Sequence, residues 1–157
     1  MINRIEGLLQ SVTDDGRALL CCDHITYELF VPGADQQRLA TMTGQNVLFH
    51  TLHYLENRDQ GAAYMPRLIG FACPEDRAFF ELFTTVKGIG NRKALRALAK
   101  PIAEIAAAIV ARDTRFLVDL PEIGKRTAEQ IVAELHGKVE EFAGPAAAGM
   151  AAEPLSE

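Results

Sequence analysis

The sequence predicts an α+β chain in which a β-rich half is followed by an all-helical half. Three observations carry that expectation. Up to about residue 71, β-branched and aromatic residues cluster in short runs broken by turn signals. From residue 72 the apolar residues recur at helical spacing. Within the helical half, one short glycine-containing segment occurs twice, 34 residues apart. The resulting organisation is 1–71 β-rich, 72–143 helical, and a tail over 144–157 rich in Ala, Gly, Pro and Glu, read as disordered.

The strands are expected at 2–12, 17–22, 25–31, 47–55 and 64–71. Asp14-Asp15-Gly16 is a strong turn between the first two, and Pro32-Gly33 closes the third. Five short strands at this spacing suit a small closed barrel, with a sandwich as the alternative. The first helix opens at Pro74-Glu75-Asp76, a proline and two acids where the helix dipole favours them. Phe79, Leu82, Phe83 and Val86 then follow at i, i+3, i+4 and i+7. Pro101 starts a helix carrying Ile102, Ile105 and Ile109. Asp113 is placed to cap the turn bearing Phe116, Leu117 and Leu120, and Ala128, Ile131, Val132 and Leu135 mark the last helix.

Composition excludes several classes of function. The 157 residues, 48% hydrophobic and 24% charged, fit a globular chain with one domain or two small ones. No apolar run approaches the ~20 residues of a membrane span, and no basic region followed by an apolar stretch opens the chain. Three cysteines, Cys21, Cys22 and Cys73, cannot build a disulfide framework and fit free thiols in a cytoplasmic setting. No phosphate-loop run exists, so any ATP hydrolysis belongs to a partner. No cofactor and no metal are expected. His50 and His53 fall on opposite faces of a strand, and Cys21, Cys22 and His24 lack a second ligand pair. Asp113 and Asp119 read as capping and solvated acids rather than nuclease carboxylates. Phe79, Phe80 and Phe83 read as core; Tyr27, Phe30, Phe49 and Tyr54 are aromatics that could face a single strand or a neighbouring subunit.

The charge distribution points to an anion. Net charge is −5, yet residues 86–96 hold Lys87, Arg92, Lys93 and Arg96 with no acid. Ile89-Gly90-Asn91-Arg92-Lys93-Ala94-Leu95 aligns with Ile123-Gly124-Lys125-Arg126-Thr127-Ala128-Glu129. A helix that opens at glycine leaves unpaired N–H groups facing outward, a setting that suits phosphate. Basic residues at a helix start oppose its dipole, and a bound anion would offset that opposition. Contacts to phosphate position a protein on DNA without reading its sequence.

Val86-Lys87-Gly88-Ile89-Gly90 and Leu120-Pro121-Glu122-Ile123-Gly124-Lys125-Arg126-Thr127-Ala128-Glu129 resemble tandem helix-hairpin-helix motifs. With the opening Met1-Ile2-Asn3-Arg4-Ile5-Glu6-Gly7 and the strand end Leu68-Ile69-Gly70-Phe71, residues 1–140 resemble the RuvA family, DNA-binding subunits of the Holliday junction branch migration complex. The resemblance implies an OB-fold barrel followed by a tandem helix-hairpin-helix domain, assembled as a homotetramer, with stacking into an octamer left open. It implies structure-selective, sequence-independent binding of four-way junction DNA in recombination and repair. Branch migration is then driven by a RuvB-type AAA+ ATPase. Phosphate contacts fall to Lys87, Gly88, Gly90, Asn91, Arg92 and Lys93 in the first motif and to Gly124, Lys125, Arg126 and Thr127 in the second.

Three departures bear on that expectation. Glu122 stands where the family's second hairpin has glycine, and a carboxylate there weakens the phosphate contact unless it points away. The family's acidic pin, on a barrel loop facing the crossover, corresponds here to residues 55–61, with Glu56 and Asp59 as its candidates. The small helical domain that binds the ATPase in the family has no counterpart before residue 157, which puts coupling to the motor in question. The alternative function is a protein-interaction module that keeps the fold without motor coupling or junction binding.

Overall fold

The computed structural model describes residues 1–58, 61 and 63–144. Within them the chain divides into two compact units, Met1–Arg77 and a second beginning at Ala78.

The first unit is a closed barrel. Its strands are β1 (Arg4–Val12), β2 (Arg17–Cys22), β3 (Ile25–Phe30), β4 (Asn46–Asn57) and β5 (Tyr64–Phe71), in the order β1-β2-β3-β5-β4, with β4 returning to β1. Closure, rather than a sandwich, follows from β1 pairing with both β2 and β4. A register shift between Leu9 and Ser11 bends the strand between the two partners. Every strand pairing is antiparallel except a short parallel seam, Leu29↔Leu68 and Phe30↔Ile69, that joins β3 to β5.

Alternation along the strands fills the barrel. Leu9, Ala18, Leu20, Leu29, Val47 and Phe49 point inward and are buried, and so is Leu39 of the short helix α1 (Gln36–Ala40). Gly70 is demanded by this packing, since a Cβ there would lie 2.7 Å from the Phe49 ring. Phe30 and Phe49, open at the sequence level to a role at an exposed face, are core residues at 6% and 1% exposure.

The division between the units falls inside helix α2 (Pro74–Phe83), six residues beyond the boundary expected from composition. Arg77 explains the shift. Its guanidinium donates to the Asn3 carbonyl at 3.0 Å, the Asn3 side chain at 2.8 Å and the Thr51 carbonyl at 3.3 Å, tying the first turn of α2 to the barrel.

The second unit holds the rest of α2, then α3 (Asn91–Ala97), α4 (Ile102–Val110), α5 (Thr114–Val118) and α6 (Lys125–Leu135), ending in a 3-10 turn at Glu140–Phe142. Phe79 and Phe83 stack at 5.8 Å between ring centroids, and Phe142 meets Phe79 edge-on at 5.4 Å. Asp113 caps α5, accepting from the Phe116 N–H at 3.1 Å. Helix α2 stops at Phe83, short of the apolar period that runs to Val86. The Thr84 and Thr85 hydroxyls donate back to the Phe80 and Leu82 carbonyls there, and Val86 is buried in the turn that follows. No helix among the described residues is long and apolar enough to cross a membrane. The tail expected over 144–157 lies, beyond Gly144, outside the described residues.

Candidate nucleic-acid interface

The sequence repeat is a repeat of backbone. Val86 and Ile89 are buried in the first turn, and Leu120 and Ile123 occupy the same places in the second. The Ile89 N–H bonds the Val86 carbonyl at 3.1 Å, and the Ile123 N–H bonds the Leu120 carbonyl at 3.2 Å. Gly90 (φ −86°, ψ 177°) precedes α3, and Gly124 (φ −87°, ψ 176°) precedes α6. Gly88 (φ 87°) and Glu122 (φ 62°) share the left-handed position between them. That conformation suits glycine and is strained for glutamate.

Folding does not explain the glycines at 90 and 124. Their extended backbone is open to any residue, and a Cβ at either would meet nothing within 4 Å. Neither α3 nor α6 has a side-chain cap or an acid in its first turn. In those turns stand Asn91, Arg92 and Lys93, and Lys125, Arg126 and Thr127. Helices α2, with Glu75 and Asp76, and α5, with its Asp113 cap, show the usual electrostatics. The starts of α3 and α6 are therefore open, uncapped and basic, and an external anion would complete the eleven-residue α6 in the ordinary way.

Each turn lies on the helix of the other repeat. The Lys87 N–H donates to Glu134 of α6 at 3.2 Å, and Gln130 holds the same carboxylate at 2.7 Å. Beside these bonds, Lys87, Arg126, Thr127 and Gln130 line an open cleft of about 240 Å³. Residues predicted from separate motifs thus share one cavity. Reciprocally, the Glu122 carboxylate reaches α3, where Arg96 grips it through Nε at 2.5 Å and Nη2 at 3.3 Å. Hydrogen bonding to Arg96 holds this carboxyl below the ordinary glutamate value, and the charges of Arg96 and Lys93 add to the effect against a smaller desolvation penalty.

The family described as SAM-like helix-hairpin-helix tandem matches residues 80–136, the segment that contains both turns. Three relatives are all named Holliday junction branch migration complex subunit RuvA. That of Rhodopirellula baltica is 40% identical over 129 residues, covering 82% of this chain and 62% of its own. That of Desulfosudis oleivorans is 38% identical over 144 residues, covering 91% and 68%. That of Burkholderia thailandensis is 34% identical over 148 residues, covering 94% and 72%. The chain belongs to the RuvA family. It spans roughly two-thirds of the length of these RuvA relatives, between 62% and 72%.

As a RuvA-family chain it places the expected interface residues as follows. Lys87, Gly88 and Gly90 of the first turn are exposed, and Asn91, Arg92 and Lys93 are half-buried at the start of α3. Gly124, Lys125 and Arg126 are exposed and Thr127 half-buried at the start of α6. Of the two pin candidates, Asp59 lies outside the described residues. Glu56 sits on β4 rather than on the turn, because the β4–β5 ribbon continues to the pair Asn57↔Tyr64. Its carboxylate accepts from Arg67 Nε at 2.9 Å. Among the described residues no group of three or more His, Cys, Asp or Glu could hold a metal ion. Three participants escape a reading of the sequence. Arg96 is visible there as part of an acid-free basic run, but its pairing with Glu122 is not. Gln130 and Glu134 carry no signal beyond their helical spacing.

Proposed function

We propose that this chain is a non-catalytic subunit that binds four-way junction DNA by its phosphates, without reading sequence. The observation that carries the reading is the cleft where Lys87 of the first turn meets Arg126 and Thr127 of α6, beside the open N-terminus at Gly124. A phosphodiester there accepts from backbone N–H groups and the Thr127 hydroxyl, while Lys87 and Arg126 neutralise it. Gly88, Gly90, Asn91, Arg92, Lys93 and Lys125 flank the same strand path in the two motifs. The names of the RuvA relatives support the junction as the substrate and branch migration as the process served.

In this reading four copies assemble with one hairpin unit on each arm. Affinity then comes from repeated phosphate contacts, and selectivity from the symmetry of the junction. ATP hydrolysis resides in a RuvB-type partner ring, and this chain supplies the DNA grip. Asp59, which follows β4 in the sequence, remains the pin candidate. Glu56 stands near the end of β4, already held by Arg67.

The test is a titration of the protein against a labelled four-way junction and a linear duplex of equal length, at two salt concentrations. Preference for the junction with strong salt dependence is the expected result. Lys87→Ala and Arg126→Ala should each flatten the dependence of log K on log salt by about 0.9 for every phosphate that is no longer neutralised. Equal affinity for both DNAs, or an unchanged slope in both variants, would overturn the reading.

A further inference from the structure

The two repeats are related as a reciprocal pair, and that relation locates a second anion position. The 34-residue offset carries Arg126 onto Arg92, Thr127 onto Lys93 and Gln130 onto Arg96, while Lys87 and Gly88 of the first turn correspond to Pro121 and Glu122. The place on α3 that answers to the α6 cleft is therefore bounded by Lys93, Arg96 and the second turn. There the Glu122 carboxylate lies in a bidentate fork on Arg96, the geometry that guanidinium offers to carboxylate and phosphate alike. The two positions are not equivalent in charge. Glu134, the carboxylate beside the α6 cleft, is held by a backbone N–H and an amide and leaves the cations Lys87 and Arg126 to an incoming anion. Glu122 instead sits directly on a cation, and both partners are open to solvent, Arg96 at 57% and Glu122 at 43% side-chain exposure.

We infer that Lys93 and Arg96 form a second DNA-phosphate position, and that the Glu122 carboxylate occupies it as a tethered internal anion that a phosphodiester must displace. Glu122 thus sets the affinity of the second hairpin, holding it below that of a chain with an uncharged residue at the same turn. The grip is electrostatic, local to Arg96, and exchangeable for another anion. The inference rests on the DNA-phosphate reading above, and the experiment separates the two.

The full chain is titrated with the labelled four-way junction at 0.05 and 0.2 M salt, as wild type, Glu122→Gln, Glu122→Gly, Arg96→Ala and Glu122→Gln/Arg96→Ala. Glu104→Gln, a solvent-facing acid on α4, serves as the control. Freeing one phosphate position steepens the log–log salt slope by about 0.9 for each subunit engaged. For each such position, the advantage of either Glu122 variant over wild type is then about 3.5 times larger at the lower salt than at the higher. The same substitution in the Arg96→Ala background should give no gain. Unchanged affinity and slope in both Glu122 variants, with wild type still binding the junction, would overturn this inference and leave the DNA reading intact. A gain that persists without Arg96, or that Glu104→Gln reproduces, would also overturn it, because it would be a general charge effect. Absence of junction binding in every protein, all folded by circular dichroism, would overturn the DNA reading and this inference with it.

Discussion

Replacing Gly124 by aspartate should move stability and DNA binding in opposite directions. Gly124 has φ −87° and ψ 176°, a conformation any residue adopts, and a Cβ there touches nothing within 4 Å. The new carboxylate can cap α6, which has no side-chain cap and no acid in its first turn. Aspartate in place of a glycine N-cap contributes a few tenths of a kcal/mol. A negative charge at a helix N-terminus adds about 0.3–1 kcal/mol. Together they amount to roughly 0.5–1 kcal/mol, or about 2–8 °C in the melting temperature of a unit of this size. The same carboxylate occupies the space of a phosphate and repels it. Losing one charged hydrogen-bonding partner costs about tenfold to hundredfold in affinity. Thermal melting at 222 nm and junction titration on the same sample measure both quantities. A lower melting temperature would show that the fold itself requires the glycine, and the argument for an external anion would fail. A raised melting temperature with unchanged affinity would show that no phosphate approaches this helix start.

Two further expectations concern the cores. Phe79→Ala removes a fully buried ring packed on Phe83 and Phe142 and should cost about 3–5 kcal/mol, measured by urea unfolding of the helical signal; a loss below ~1 kcal/mol would contradict the packing described. In the barrel unit, burial raises the Asp35 carboxyl above its ordinary value, against the pull of Arg38. An acid whose folded value is raised is penalised once it ionises, so its contribution is most favourable below the unfolded value of 3.8 and declines as pH rises through the folded value. Asp35→Asn should therefore melt higher than wild type at pH 7, with the difference shrinking toward pH 3. A difference that grows on acidification would reverse the assigned cause.

The sequence revealed most where one physical signal dominated. Strands β2 and β5 end where alternation and turn residues end them, at Arg17–Cys22 and Tyr64–Phe71. Helix α1 escaped notice because Gln36, Gln37 and Arg38 are polar and only Leu39 is buried, too little for a period to register. Strand β4 runs two residues past its expected end because pairing with β5, not apolar alternation, sustains the ribbon as far as Asn57. That extension is what puts Glu56 on a strand. At the candidate site, the 34-residue offset located both turns and the basic residues around them. The resemblance to the RuvA family, not the offset, marked Glu122 as out of place. The direction of that side chain depends on Arg96, a neighbour 26 positions away that only the folded arrangement supplies.

The parallel seam of the barrel bears on how the chain acquires its structure in time. Leu29↔Leu68 and Phe30↔Ile69 are the whole of the β3–β5 pairing, and the segment between their strands contains α1 and all of β4. That long loop must be closed before two residue pairs return any free energy, and such non-local pairing is slow. The helical hairpins close through short turns and need no such wait. All three tyrosines, Tyr27, Tyr54 and Tyr64, lie in the barrel unit, and the chain has no tryptophan. Tyrosine emission therefore follows the barrel alone, and after dilution from denaturant it should lag the recovery of helical ellipticity. A nascent chain meets these elements in the opposite order, since the barrel unit, Met1–Arg77, is synthesised before the hairpins and has that interval in which to close its seam.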